Sequence, residues 1–222
     1  MERNHSISDS TFNTQHELFR QVAFHEAGHA VAIYLRNKQQ QLPPVFFQII
    51  LDPHASAAFQ HNYLAKVEGG RLIETLPLSQ AELSALDEPA YLEAFEADII
   101  NLLTGPLAEA KYVARRDNEA ISRHLVNLDA LGFYGGASDL EIVNDYIQCF
   151  IENRQQRNHI IEQLFIEAFK FIDSPQHWNV INALATHIIH STKAVIPCEE
   201  ITAVIENAWH GSKRAIVMRL KT

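Results

Sequence analysis

The stretch Val22-Ala23-Phe24-His25-Glu26-Ala27-Gly28-His29-Ala30-Val31-Ala32 carries the pattern H-E-x-x-H, and the rest of the chain can be read outward from it. On a helix, His25 and His29 share one face with Cβ atoms about 5–6 Å apart, so two imidazole nitrogens can reach one zinc ion. Glu26 lies roughly 100° further round, which puts its carboxylate beside such a metal and not on it. Neutral imidazole is a good zinc donor, and zinc brings the pKa of bound water to about 7. A carboxylate at Glu26 can take that proton and later pass it to a leaving amine, so the pattern predicts metal-assisted amide hydrolysis. The chain has 12 histidines, so a coincidental pair at helical spacing is the competing reading. The flanks argue against it. Ala27, Gly28, Ala30 and Ala32 are small enough to admit another segment at the metal level, while Val22, Ile33 and Leu35 supply apolar packing. Gly28 costs about 1 kcal/mol against Ala in a helix interior, which points to a packing or functional reason for it.

Working outward, Thr14 followed by Glu17 makes a capping-box pattern, so the first helix is expected from near Thr14 to about Asn37, before Pro43-Pro44. Residues 1–12 are expected to be disordered. Val45 to Leu51 is β-branched and aromatic and reads as a strand stopped by Asp52-Pro53. Tyr63 to Glu68 and Arg71 to Thr75 flank Gly69-Gly70, which predicts a β-hairpin and a sheet of about three strands after the metal helix. The remainder reads as helical, at about 79–86 and 89–103, then from Pro106 to about Arg115 after a break at Gly105-Pro106. Further helices are expected at 137–152, 154–173, 175–190 and 198–209, with a turn at Gly135-Gly136. Leu164, Phe165, Ala168, Phe169 and Ile172 form an apolar stripe suited to a packed core. The fold class expected is therefore mainly α (α+β), a metal-binding helix with a small three-stranded sheet followed by a helical bundle. One main unit is expected at 13–210, divided into a zinc-helix and sheet part at 13–150 and a helical part at 151–210, with a basic tail at 211–222.

Composition narrows the function. The chain has 222 residues and is 47% hydrophobic, enough for a substantial core. Its formal net charge of −9 argues against general nucleic-acid binding. Cys149 and Cys198 are the only cysteines, too few for a disulfide framework or a cysteine-based zinc site, and Cys149 is expected to be buried and inert. No stretch approaches 18 consecutive apolar residues, and residues 1–10 lack the apolar core of a signal peptide. A cytoplasmic protein with no membrane span is the expectation. Among the other histidines only His187 and His190 stand at helical spacing, and surface or core roles are the default for both.

A catalytic zinc site wants a third protein ligand, and two places compete. One is Asp139, in Gly135-Gly136-Ala137-Ser138-Asp139-Leu140; the other is Glu109, in Leu103-Thr104-Gly105-Pro106-Leu107-Ala108-Glu109. An acidic residue in the first turn of a helix is also explained by the helix dipole alone. Together with Phe24 to Ala30, these two stretches resemble the peptidase domain of the FtsH family, zinc proteases of peptidase family M41. Phe24 to Ala30 is similar to that family's metal helix, Leu103 to Glu109 to its G-G-R-x-A-E stretch, and Gly135 to Leu140 to its G-A-S-N-D-L stretch. The chain departs from the family in lacking an Asn between Ser138 and Asp139, in carrying Pro106 where the family has Arg, and in extra residues around 52–62 and 76–90. The 222 residues also carry no P-loop of the form G-x-x-x-x-G-K-[ST], so the expectation is a peptidase-like domain standing alone, without the family's ATPase module.

The resemblance implies a zinc metalloendopeptidase, independent of ATP on its own, with His25, His29 and Asp139 as metal ligands, Zn²⁺ as cofactor and Glu26 as general base. It implies a peptide or unfolded protein as substrate, held by strand addition at a sheet edge, with a homo-oligomer or a separate ATPase as partner. Two alternatives stand beside it. One is a catalytically idle FtsH-like interaction or regulatory protein; the other is an aminopeptidase-like enzyme with Glu109 as third ligand.

Overall fold

The computed structural model describes residues 7–52, 64–73 and 89–219. Helix α1 (Ile7–Val31) runs on through a π-helical turn (Ala32–Arg36) into the short α2 (Asn37–Gln39). Strands β1 (Phe47–Leu51) and β2 (Ala65–Gly69) follow, then α3 (Pro89–Arg116), a 3₁₀ turn (Asp129–Phe133), α4 (Ala137–Phe150), α5 (Arg154–Asp173) and α6 (Pro175–His190). A two-residue β3 (Val195–Ile196) leads into α7 (Cys198–Arg219). The fold is mainly α with a small three-stranded antiparallel sheet, as the sequence predicts, and among the described residues no helix is long and apolar enough to cross a membrane.

The small residues of α1 determine how it packs. Ala23, Ala27, Ala30 and Val31, and Ala32 at the start of the π-helical turn, are all fully buried. A Cβ on Gly28 would lie 2.7 Å from both the Ala108 Cβ and the Thr104 carbonyl oxygen, so α1 and α3 approach more closely there than any side chain allows. On a neighbouring face Phe24 stacks on Tyr112 of α3 and Trp178 of α6, with ring centroids 4.3 and 5.6 Å away. α1 is thus held between α3 and α6. The bundle beyond it begins at side-chain caps. Asn153 accepts from the Gln155 and Gln156 amides, and Ser174 accepts from the His177 amide with Pro175 opening α6.

Several boundaries differ from the sequence reading. α1 begins at Ile7, so helix occupies residues expected to be disordered, and Thr14 is interior to it. Glu17 does not fold back as a capping partner; it accepts from Arg116 Nη1 at 2.8 Å and from the Tyr112 hydroxyl at 3.2 Å, tying α1 to α3. α3 does not break at Gly105-Pro106. A proline inside a helix costs ~3 kcal/mol or more, and here Leu103, Leu107 and Ala108, all fully buried on either side of it, hold the helix continuous. At the far end α7 continues to Arg219 where a tail was expected.

The hairpin is also different. β2 pairs with β1, in the register Ile49↔Val67 and Leu51↔Ala65, and β3 completes the sheet on the other side of β1 with Ile49↔Ile196. Residues 71–73 do not return as a strand. Their main chain is captured by α3, where the Asp98 carboxylate accepts from the Leu72 amide at 2.9 Å and the Ile73 amide at 3.0 Å. The third strand comes instead from the segment between α6 and α7. β1 shows the alternation its sequence predicts, with Phe47, Ile49 and Leu51 buried. The helix expected at 79–86 and the long segment around 52–62 fall largely outside the described residues.

Candidate metal centre

His25 and His29 project from one face of α1, and the first turn of α4 brings Asp139 against both. His25 Nε2 lies 3.1 Å from Asp139 Oδ2, and His29 Nε2 lies 3.4 Å from Asp139 Oδ1. One ligand atom from each of the three residues falls within 4.8 Å of the others, and all three residues are buried. Ligands bound at about 2.0–2.1 Å to a tetrahedral zinc stand roughly 3.3 Å apart, so the spacing suits that ion.

The outer ring nitrogens make the donor set more specific. His25 Nδ1 faces two acceptors, Glu109 Oε2 at 3.1 Å and the Tyr134 carbonyl oxygen at 3.2 Å. His29 Nδ1 faces the Asn101 carbonyl oxygen at 2.9 Å. Each Nδ1 faces only acceptors and so carries a proton, and a neutral ring would then turn its Nε2 lone pair toward the Asp139 carboxylate. Two lone pairs against a carboxylate repel unless a cation stands between them, either a proton or a metal ion. The electrostatics of the cluster say the same. Burial alone would lower the His25 pKa, but hydrogen bonds to Asp139 and Glu109 and the charge of Glu26 overcome it and raise it to about 10. Burial would raise Asp139, yet the charge of His29 and the bonds from His25 and His29 hold it well below the usual carboxylate range.

Glu26 turns its carboxylate to the neighbouring side of α1 and accepts from the Val67 amide of β2 at 2.6 Å. Burial pushes its pKa up, while His25, His29 and the Val67 amide pull the other way. Glu109 takes the second nitrogen of His25, on the opposite side of the ring from Asp139. Sequence reasoning named all five of these side chains. It missed the main-chain partners Tyr134, Asn101 and Val67, which no side-chain motif announces.

Two glycines make room for the rings. A Cβ on Gly105 would fall 2.2 Å from His29 Nε2, and one on Gly135, whose φ is +70°, would fall 2.9 Å from Glu109 Oε2 and 3.1 Å from His25 Nδ1. Gly136 is pressed against Pro106, which would lie 2.7 Å from an added Cβ. The glycine turn therefore lets α4 begin directly over α3, and Asp139 follows from that placement.

The group opens on a cleft of about 1030 Å³ bordered by β2 and its flanking Leu64 and Gly70, by α1 at Leu18 and Val22, by Ile33 of the π-helical turn, and by α4 at Ser138 and Ile142. Elsewhere the sequence candidates separate. His187 meets Glu200 and His190 bonds the Thr186 carbonyl of its own helix, so they do not converge on one point. Cys149 is exposed, contrary to expectation, because α4 buries the face of Asp139, Val143 and Ile147 and Cys149 lies about 200° round from Ile147. No protein-family model, no curated protein and no solved structure matches the chain.

Proposed function

We propose that this chain is a zinc-dependent metallopeptidase of the FtsH-like kind, with His25, His29 and Asp139 holding the ion and Glu26 acting as general base. The observation that carries the reading is the convergence of the His25 and His29 Nε2 atoms and the buried Asp139 carboxylate, with the buried Glu26 carboxylate beside them, on an open cleft. Zinc held there would acidify a water molecule and polarise a carbonyl group. The chain's own groups supply the rest. Glu109 and the Tyr134 carbonyl fix the ring of His25, and the Asn101 carbonyl fixes that of His29, so both rings are oriented before any metal arrives. Glu26 has one carboxylate oxygen engaged by Val67 and the other left to take a proton and return it to the departing amine. The edge strand β2 along the cleft favours an extended main chain as substrate, since its outward groups can add a strand.

Glu109 as third ligand, and with it the aminopeptidase-like reading, is the less favoured assignment, because its carboxylate lies at Nδ1 of His25 and not at Nε2. The test is metal analysis of the purified protein together with cleavage of casein and flexible peptides, with and without chelator. About one zinc per chain and chelator-sensitive cleavage are expected. Full zinc with no hydrolysis of any flexible peptide would favour the regulatory reading instead.

A further inference from the structure

Among the described residues β2 is an edge strand, in the order β2-β1-β3. The Leu64 carbonyl accepts from the Asp52 amide and the Gly70 amide donates to the Phe46 carbonyl, so even-numbered residues of this segment turn their main chain toward β1. Ala65, Val67 and Gly69 therefore turn theirs outward, to the cleft. Val67 lies at the level of the metal face of α1, and its outward N–H donates to Glu26 Oε2 at 2.6 Å. Hydrogen bonds to a carboxylate are among the stronger ones, and this one links groups 41 residues apart in sequence.

A glutamate side chain turns about three bonds, and a base acts well only when held where the proton will be. We propose that Val67, through its main-chain N–H, is the positioning residue for Glu26, so that the strand bordering the cleft also orients the general base. The proposal rests on the metallopeptidase reading of the site. Oε2 is committed to the strand and Oε1 is the oxygen that receives the proton. The same bond limits substrate register. A peptide laid along β2 finds the Val67 amide engaged, and pairs with the outward groups of Ala65 and Gly69 on either side of it. Strand and base thus move together, and a peptide seated on the strand is seated relative to the base.

Because the Val67 N–H faces away from β1, Val67→Pro deletes the donor and leaves the ladder to β1 intact, while Val67→Ala trims the side chain and keeps the donor. Val67→Ala is the reference for Val67→Pro, since both lose the valine side chain and only Val67→Ala keeps the N–H. Val67→Pro should lower kcat ~10–100-fold with zinc content and KM unchanged. Equal kcat in the two variants overturns the proposal. A second measurement does not depend on Val67→Pro folding: amide NMR of the full chain labelled with ¹⁵N. The Val67 amide proton is expected downfield and slow to exchange in wild type, and upfield and faster in Glu26→Ala, with no matching change at Ala65 or Gly69. A Val67 resonance indifferent to Glu26→Ala overturns the proposal while leaving an active peptidase untouched. A zinc-loaded wild type that cleaves no peptide overturns the peptidase reading and this role with it, so the two failures are told apart.

Discussion

Glu109 Oε2 stands 3.1 Å from His25 Nδ1, on the side of the imidazole opposite Asp139. The two acids that competed for one role in the sequence thus contact the same ring at different nitrogens. A carboxylate behind a ligating histidine fixes its tautomer and raises its basicity, and losing such a partner costs about 10–100-fold in metal affinity. Glu109→Ala is therefore expected to weaken zinc binding by about that factor, and Glu109→Gln by less, since its amide oxygen still accepts and the Tyr134 carbonyl remains at 3.2 Å. Asp139→Asn should weaken zinc more than Glu109→Gln does. Competition with a zinc-sensitive dye measures all three, and the reverse order would sink the choice of Asp139 and support the aminopeptidase-like reading.

Gly105 gives a test that removes no ligand. Glycine costs about 1 kcal/mol against alanine inside a helix, so on local grounds Gly105→Ala should stabilise α3. The added Cβ would sit 2.2 Å from His29 Nε2, however, so the ring must move off its present position. The expected result is loss of zinc comparable to that of His29→Ala, with helical circular dichroism retained. Gly132→Ala is the control, because nothing lies within 4 Å of its Cβ. Normal zinc affinity in Gly105→Ala would show that the imidazole is not confined against α3 as drawn.

The legible part of this chain is what local spacing expresses. His25, Glu26 and His29 declare themselves by helical periodicity, and the small residues around them announce the close approach of α3. Ser174-Pro175 marks the start of α6 because a cap is a local interaction. What escaped depends on distant partners. Pro106 reads as a breaker until the buried residues around it hold the helix together, and Gly69-Gly70 reads as a hairpin until Asp98 captures the next amides. The third strand, two residues long, has no signature of its own and exists because β1 offers it an edge. At the site, a triad can be guessed from side chains, but the carbonyls of Tyr134 and Asn101 that select the tautomers cannot.

The metal-free protein should have a stability profile set by His25 and Asp139. The His25 pKa is raised from 6.5 to about 10, so its contribution is fully present below pH 6.5 and is lost as pH rises toward 10. Asp139 is depressed below its ordinary 3.8, so its contribution is present above that value and lost as pH falls below it. Chelator-stripped protein is thus expected to be most stable at mildly acidic pH and to weaken steadily from pH 6.5 to 9. Zinc replaces the proton between Nε2 and the carboxylate, so the loaded protein should not show that alkaline decline. Thermal melts of both forms from pH 5 to 9 check this. Parallel profiles with and without zinc would mean that the ion binds elsewhere.

Glu26→Gln separates chemistry from architecture. The substitution keeps the size of the side chain, and its amide oxygen can still accept from the Val67 N–H, so the link between α1 and β2 is preserved. What it removes is the capacity to take and return a proton. Because Glu26 is outside the proposed ligand set of His25, His29 and Asp139, zinc content should stay near wild type. Proton transfer by a positioned group contributes about 10²–10⁴-fold, so kcat should fall by orders of magnitude while an extended peptide still binds. Peptide turnover and equilibrium binding, measured on the same zinc-loaded preparation, check both halves. Loss of metal in Glu26→Gln would make the residue part of the metal's own support. Chelator-insensitive turnover equal to wild type would mean that the observed cleavage comes from something other than this site.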